Sequence, residues 1–288
     1  MSAIERENVS GPQPKINLRG RLLEFSRPYV MGILNLTPDS FHAASRVSDP
    51  KEAVRRVRGM IDDGADIIDI GGCSTRPGSE SVGMEEEWQR LEEPLKAIRE
   101  AFPEVIISID TFHAEIARRC ISEWSVDIVN DVSGGKDPKM FDTVAREGAG
   151  YVLMHTRGTP ASMDSLCNYE EVVADVVREL AFRLDEAHAK GVCNVIVDPG
   201  FGFAKTTEQN LKLLKQLDYL KVLGCPILAG ISRKRMVRES GECDAADSLI
   251  STVALNTVAL MKGASIIRVH DVKEGVQTAR TISRMLLN

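Results

Sequence analysis

Eight short apolar runs in this chain each stop on a polar, charged or glycine position, and the residues gathered at those stops could do chemistry. In order they are Asn35, Asp69, Asp110, Asn130, Met154 with His155, Asp198, Gly230 followed by Ser232 and Lys234, and Arg268 followed by His270. Carboxylates accept from ring N–H groups, while Lys and Asn donors reach ring acceptors. Three Asp and two Asn around a Lys and an Arg therefore suit a flat heterocycle carrying both kinds of group. Arg268 offers a planar fork matched to phosphate oxygens, and His270 faces the same side if the chain stays extended. Those two residues read as an anion pocket, although Arg268 could equally stack on the heterocycle.

Each residue also has a structural use. Asp69, Asp110 and Asp198 could cap the helices that follow, Asn130 and Asp131 could be turn residues, and Met154 could be plain core. His155 reads as a satisfied structural histidine. Lys205 and Arg157 read as solvated surface charges, and Ser232-Arg233-Lys234-Arg235 could be a solvated basic turn behind a capping serine.

The elements that must hold these residues follow from periodicity. From Val30 onward each apolar run is followed by a polar or glycine-rich turn and then by helical spacing. Helices fit at about 50–63, 85–101, 113–122, 138–147, 169–190, 207–220, 245–261 and 272–286. Asp49-Pro50 and Asp137-Pro138 read as N-caps followed by proline in the first turn. Gly64, Gly148, Gly191 and Gly263 fall where helix ends need positive φ. Buried strands alternating with helices imply a parallel sheet, and eight units imply closure into a single-domain (β/α)8 TIM barrel over residues 15–288. Residues 1–14 form an expected flexible leader, and Lys15 to Phe25 a strand or hairpin closing one end. An open doubly wound sheet is the competing architecture, but Gly200-Phe-Gly202 lacks the third glycine of a dinucleotide fingerprint. In a barrel of this kind the strand C-termini converge on one face, so the strand ends become a site inventory.

Bulk properties narrow the partners. A chain of 288 residues, 27% charged with net charge −6, lacks the basic excess that holds nucleic acid or an anionic membrane. Neither a secretory leader nor a run of about 18 apolar residues is present, which points to a cytoplasmic protein. Six dispersed cysteines without a Cys-x-x-Cys pair argue against a disulfide framework or zinc site.

The segments Met31–Phe41, Asp69–Gly78, Ser108–Thr111, Asn130–Val132, Met154-His155, Asp198–Phe203, Gly230–Lys234 and Arg268–Asp271 together resemble the dihydropteroate synthase family, from about residue 17 to 286. Any one segment is weak, but their joint order and spacing are specific. The resemblance implies a barrel enzyme that joins p-aminobenzoate to 6-hydroxymethyl-7,8-dihydropterin diphosphate in folate synthesis, with Mg²⁺ as cofactor and a homodimer as the assembly. Position by position, it implies pterin contacts from Asp110, Asn130, Met154, Asp198, Lys234 and Arg268. Diphosphate would be gripped by Asn35, Thr75, Arg268 and His270, with Asn35 reaching the metal. A p-aminobenzoate site would be built from Pro38, Phe41, Thr75, Arg76, Pro77, Phe203, Ser232 and Lys234. Asp110, Asp198, Lys234, Arg268 and His270 would carry the catalytic work.

Two departures from the family pattern stand out. Ala43 occupies a position where many members have a metal-contacting Asp, and Cys73 one where they usually have Glu; no catalytic role is expected of Cys73. Two other readings remain: a methyltetrahydrofolate–corrinoid methyltransferase, which should lack the Ser-Thr-Arg-Pro and Ser-Arg-Lys loops, or a non-catalytic pterin-binding homologue.

Overall fold

The computed structural model describes residues 14–36, 49–73, 83–159 and 161–287. Pro14 apart, the expected leader lies outside the described residues, as do Pro38, Phe41, Ala43, Thr75, Arg76 and Pro77. The chain enters as an antiparallel hairpin, β1 (Lys15–Leu18) and β2 (Arg21–Glu24), turned through left-handed Arg19 and Gly20. Then come β3 (Tyr29–Asn35), α1 (Pro50–Asp62), β4 (Ile67–Gly71), α2 (Met84–Ala101), β5 (Ile106–Asp110), α3 (Ala114–Trp124), β6 (Ile128–Asp131) and α4 (Met140–Glu147). The second half runs β7 (Gly150–Met154), α5 (Val172–Ala189), β8 (Val195–Asp198), α6 (Thr207–Lys215), β9 (Leu228–Ala229), α7 (Arg235–Ser240), α8 (Leu249–Met261), β10 (Ile266–Val269) and α9 (Val272–Leu287).

Strands β3 to β10 form a parallel sheet in the order β8-β7-β6-β5-β4-β3-β10-β9, so the first barrel strand pairs with the last. A parallel bridge from Val197 to Ile227 joins the two edges, with the Val197 N–H donating to Pro226 at 2.9 Å. The (β/α)8 barrel read from the eight-fold alternation is therefore the fold.

Strand alternation sorts the barrel residues onto two faces. Outward residues such as Ile68, Ile107, Val129, Leu153 and Ile267 join the large core under the helices. Inward, each strand gives one apolar residue to a floor: Met31, Ile67, Ile106, Ile128, Val152, Ile196, Leu228 and Ile266. Beneath them lie Ile16, Leu18, Leu23 and Phe25 of the hairpin, which plugs the N-terminal end. Truncating one floor residue to Ala would cost about 2–5 kcal/mol.

Helix ends follow the sequence in part. Asp49 accepts from the Lys51 N–H at the start of α1, and Gly148 closes α4 at φ 67°. Gly64, Gly191 and Gly263 also take positive φ. The expected Asp137 cap is not used as such: α4 begins after Lys139, and the Asp137 carboxylate accepts from the N–H groups of Lys139 and Ala114. One side chain thereby ties the starts of α3 and α4. The helix expected over 207–220 stops at Lys215 and continues as a 3-10 turn, Leu217–Leu223. The helix expected from 245 begins at Leu249 instead, and the short α7 precedes it.

Candidate active site

One inward step above the apolar floor, the same strands present Ile33, Asp69, Ser108, Asn130, Met154, Asp198, Gly230 and Arg268. Period-two geometry thus changes the barrel interior from apolar to polar within a single pleat. Arg268 donates from Nε to Asp69 at 2.6 Å and from a terminal nitrogen to Asp110 at 2.7 Å. Asn130 donates its amide to the same Asp69 oxygen at 3.1 Å. Asp69 is fully buried; its other carboxylate oxygen, like the hydroxyl of Ser108, finds no partner among the described residues. Neither Asp69 nor Asp110 caps a helix: the N-cap positions of α2 and α3 are Gly83 and His113, and neither helix has a side-chain cap bond.

Charge is concentrated here. Burial pushes the Asp110 carboxyl up to about 7, against the pull of Arg268 and with help from Asp69. Burial also disfavours the Arg268 charge, yet the Asp69 and Asp110 carboxylates outweigh it and hold the guanidinium above its ordinary value. Across the barrel, burial raises Asp198 despite Lys234, while Asp198 also accepts from the Gly200 N–H at 2.7 Å. Lys234 is pushed down to about 8 by burial, which the Asp198 carboxylate partly offsets. The Lys234 ammonium donates to the Phe201 carbonyl at 2.6 Å and lies 4.7 Å from the Phe203 ring centroid. Phe203 packs with Met154, Met163 and Ala204 as one apolar wall.

At the other side of the mouth, Ser232 lies 3.1 Å from His270 Nδ1, and its hydroxyl also accepts from the His270 N–H at 3.3 Å. Arg233 is held by Asp271. The run 232–235 is thus not a uniformly solvated turn: Ser232 is buried, Arg233 is ion-paired, and Arg235 alone is exposed. Asn35 ends β3, the strand bonded to β10. Its amide oxygen is a hard donor, and no group of three His, Cys, Asp or Glu among the described residues could hold a metal ion. Magnesium takes much of its shell from water and phosphate oxygens, so one amide donor at the mouth fits it.

Some assignments change. Lys205 and Arg157 are not solvated: Lys205 is fully buried, and Arg157 pairs with Glu179 and stacks 3.9 Å from the Tyr169 ring centroid. His155 is structural as expected, bonded to Glu179 at 3.0 Å. Asp131 accepts from Ser133, Gly135 and Tyr151, which is turn duty. Burial, then the charge of nearby Glu87, holds the Cys73 thiol far above its ordinary value, which disfavours the thiolate that a nucleophile needs. Sequence reasoning also missed Glu87, a fully buried carboxylate 2.6 Å from His113 Nδ1. Its position within an acidic first turn of α2 gave no sign of burial.

A barrel mouth that offers acceptors and donors to a flat ring, with Ser232, His270 and Asn35 at its side, defines a class: a (β/α)8 enzyme that grips a hydrogen-bonding heterocycle. Residues 31–270 match the family described as pterin binding enzyme. The chain belongs to the dihydropteroate synthases within that family. It is 41% identical over 258 residues to the dihydropteroate synthase of Synechocystis sp., covering 88% of this chain and 89% of that protein. The structure of Xanthomonas albilineans dihydropteroate synthase with 4-aminobenzoic acid superposes with a TM-score of 0.87 at 36% identity, over 96% of this chain and 99% of that one. Against the mitochondrial folate synthesis bifunctional protein of Arabidopsis thaliana, identity is 41% over 96% of this chain, which spans only 53% of that longer protein. No described helix is long and apolar enough to cross a membrane.

Proposed function

We propose that this chain condenses 6-hydroxymethyl-7,8-dihydropterin diphosphate with p-aminobenzoate, giving 7,8-dihydropteroate and pyrophosphate. The observation that carries the reading is the polar layer of Asp69, Asn130, Asp198 and Arg268, with Asp110 and Lys234 beside it, set inside a family whose relatives bear that name. Asp110, Asn130, Asp198 and Lys234 would read the pterin edge, and Met154 and Arg268 would pack on its faces. Breaking the C–O bond to diphosphate leaves positive charge spread over the dihydropterin. Asp110 and Asp198, both buried, would stabilise it. The amine of p-aminobenzoate attacks that carbon and then loses a proton, so no protein nucleophile is needed. Phe203, Ser232 and Lys234 would line the p-aminobenzoate side.

Asn35 would hold Mg²⁺ together with diphosphate oxygens and water, and the ion would neutralise charge on the departing pyrophosphate. His270 would serve the same leaving group, while the Arg268 fork is engaged by Asp69 and Asp110. A homodimer through the last two helices is supported by exposed apolar residues there, Ile250 at 82% and Met261, Met285 and Leu286 near half. Sedimentation of the pure protein as a monomer at micromolar concentration would remove the dimer from this reading.

Pyrophosphate release by pure protein tests the activity. Release should require both substrates and stop with a chelator of divalent metal; no release with both substrates and Mg²⁺ present would overturn the assignment. Asp69, Asp110 and Asn130 could serve a methyltetrahydrofolate-dependent enzyme equally, but the Ser232-Arg233-Lys234 turn built against the site favours the synthase.

A further inference from the structure

Lys205 is fully buried, burial pulls its ammonium down to about 7 against the opposing Asp198 carboxylate, and nothing in the proposed chemistry uses it. Its ammonium has three N–H donors and three acceptors: His155 Nδ1 at 2.9 Å, the Gly200 carbonyl at 3.0 Å and the Phe203 carbonyl at 3.0 Å. The two carbonyls bracket the turn 200–203, which carries Phe203 and follows Asp198. That turn is backbone under constraint. Gly200, Gly202 and Ala204 all take left-handed φ, at 68°, 80° and 48°, and the last is not a glycine. A Cβ on Gly200 would lie 1.9 Å from the His155 carbonyl oxygen, so the turn is pressed directly against the loop after β7.

The tripod is anchored from behind. Because His155 Nδ1 accepts from Lys205, its Nε2–H is left to donate to Glu179 of α5, which also holds Arg157. Burial, with the Lys205 charge, pushes the imidazole down to about 4, which keeps it neutral and its tautomer fixed. From the front, Lys234 donates to the Phe201 carbonyl of the same turn. The turn is therefore clamped between two lysines, one facing the site and one concealed behind it.

We propose that Lys205 is a positioning residue: its buried ammonium holds the 200–203 turn in its left-handed path, so that the Phe203 ring stands against Lys234 as the wall of the p-aminobenzoate site. This rests on the synthase reading of the site. Asp198 feels the Lys205 charge but sits on β8 and keeps its own bond to Gly200, so the position of the pterin side depends less on the tripod than that of Phe203 does.

The test is Lys205→Met, which keeps the length of the stem and removes all three donors, measured in steady state with each substrate varied in turn. KM for p-aminobenzoate should rise by about tenfold or more, while KM for the pterin diphosphate stays within about threefold. A folded Lys205→Met enzyme whose two KM values are unchanged, or rise together, overturns the proposal. Should this variant not accumulate as folded protein, His155→Leu removes one acceptor and leaves both carbonyl bonds available. It should give the same split in smaller measure, and no split overturns the proposal. Wild-type pyrophosphate release tests the synthase reading separately, so failure of one is distinguishable from failure of the other.

Discussion

Replacing Arg268 with methionine removes a guanidinium that serves two buried carboxylates, Asp69 and Asp110, at 2.6 and 2.7 Å. Both are under 10% exposed, so water cannot take over the guanidinium's place. Breaking a buried pair by removing one partner costs about 3–5 kcal/mol. For a chain of this size, that lowers the melting temperature by roughly 6–20 °C, at about 2–4 °C per kcal/mol. The dependence on pH is sharper than the magnitude. Asp110 is raised in the fold, to about 7, above its unfolded value. The native protein therefore loses stability as pH rises from the unfolded pKa through the folded one, and the loss levels off above pH 7. Without Arg268 the folded value moves higher still, so the variant goes on losing about 1.4 kcal/mol per pH unit beyond that point. The gap between the two proteins should widen from pH 7 to 8. Calorimetric melts of both, from pH 5 to 8.5, would measure it. A gap that is constant or narrows above pH 7 would refute the view that Arg268 holds Asp110 ionised.

Two further outcomes follow from the same site. Asp110→Asn should lower turnover by at least about tenfold, because it removes charge facing the developing cation, while the barrel stays folded; unchanged turnover rules the role out. Lys234, pushed down to about 8 by burial, should make kcat/KM fall as pH rises through that value, since the ammonium must stay charged to donate. A profile flat to pH 9.5 would show that its charge is not needed.

Much of the site was legible because a barrel converts strand ends into a ring of neighbours. Once eight runs were counted, Asp69, Asp110, Asn130, Asp198 and Arg268 had to converge, and they do. Illegible were the partners reached across the barrel. Nothing in the sequence says that the Arg268 fork would turn inward to Asp69 and Asp110 instead of standing free for an anion. The burial of Lys205 is illegible for a physical reason: a lysine near a glycine turn is usually solvated, and its three acceptors are two backbone carbonyls and one imidazole tautomer, none of which leaves a trace in residue types. The short β9 was found from its apolar run, but its role as the closing edge, through a single bridge at Val197, depends on curvature that periodicity does not encode.

The hairpin beneath the barrel has a consequence for the order of assembly. Ile16, Leu18, Leu23 and Phe25 leave the ribosome before any strand of the barrel, yet their cluster includes Ile196, Leu228 and Ile266 from its second half. A two-stranded hairpin is marginal alone in water, so it must wait for the last barrel strands before its apolar side is covered. Docking of that plug therefore marks completion of the barrel, and pulse-labelled hydrogen exchange should find the amides of β1 and β10 protected together.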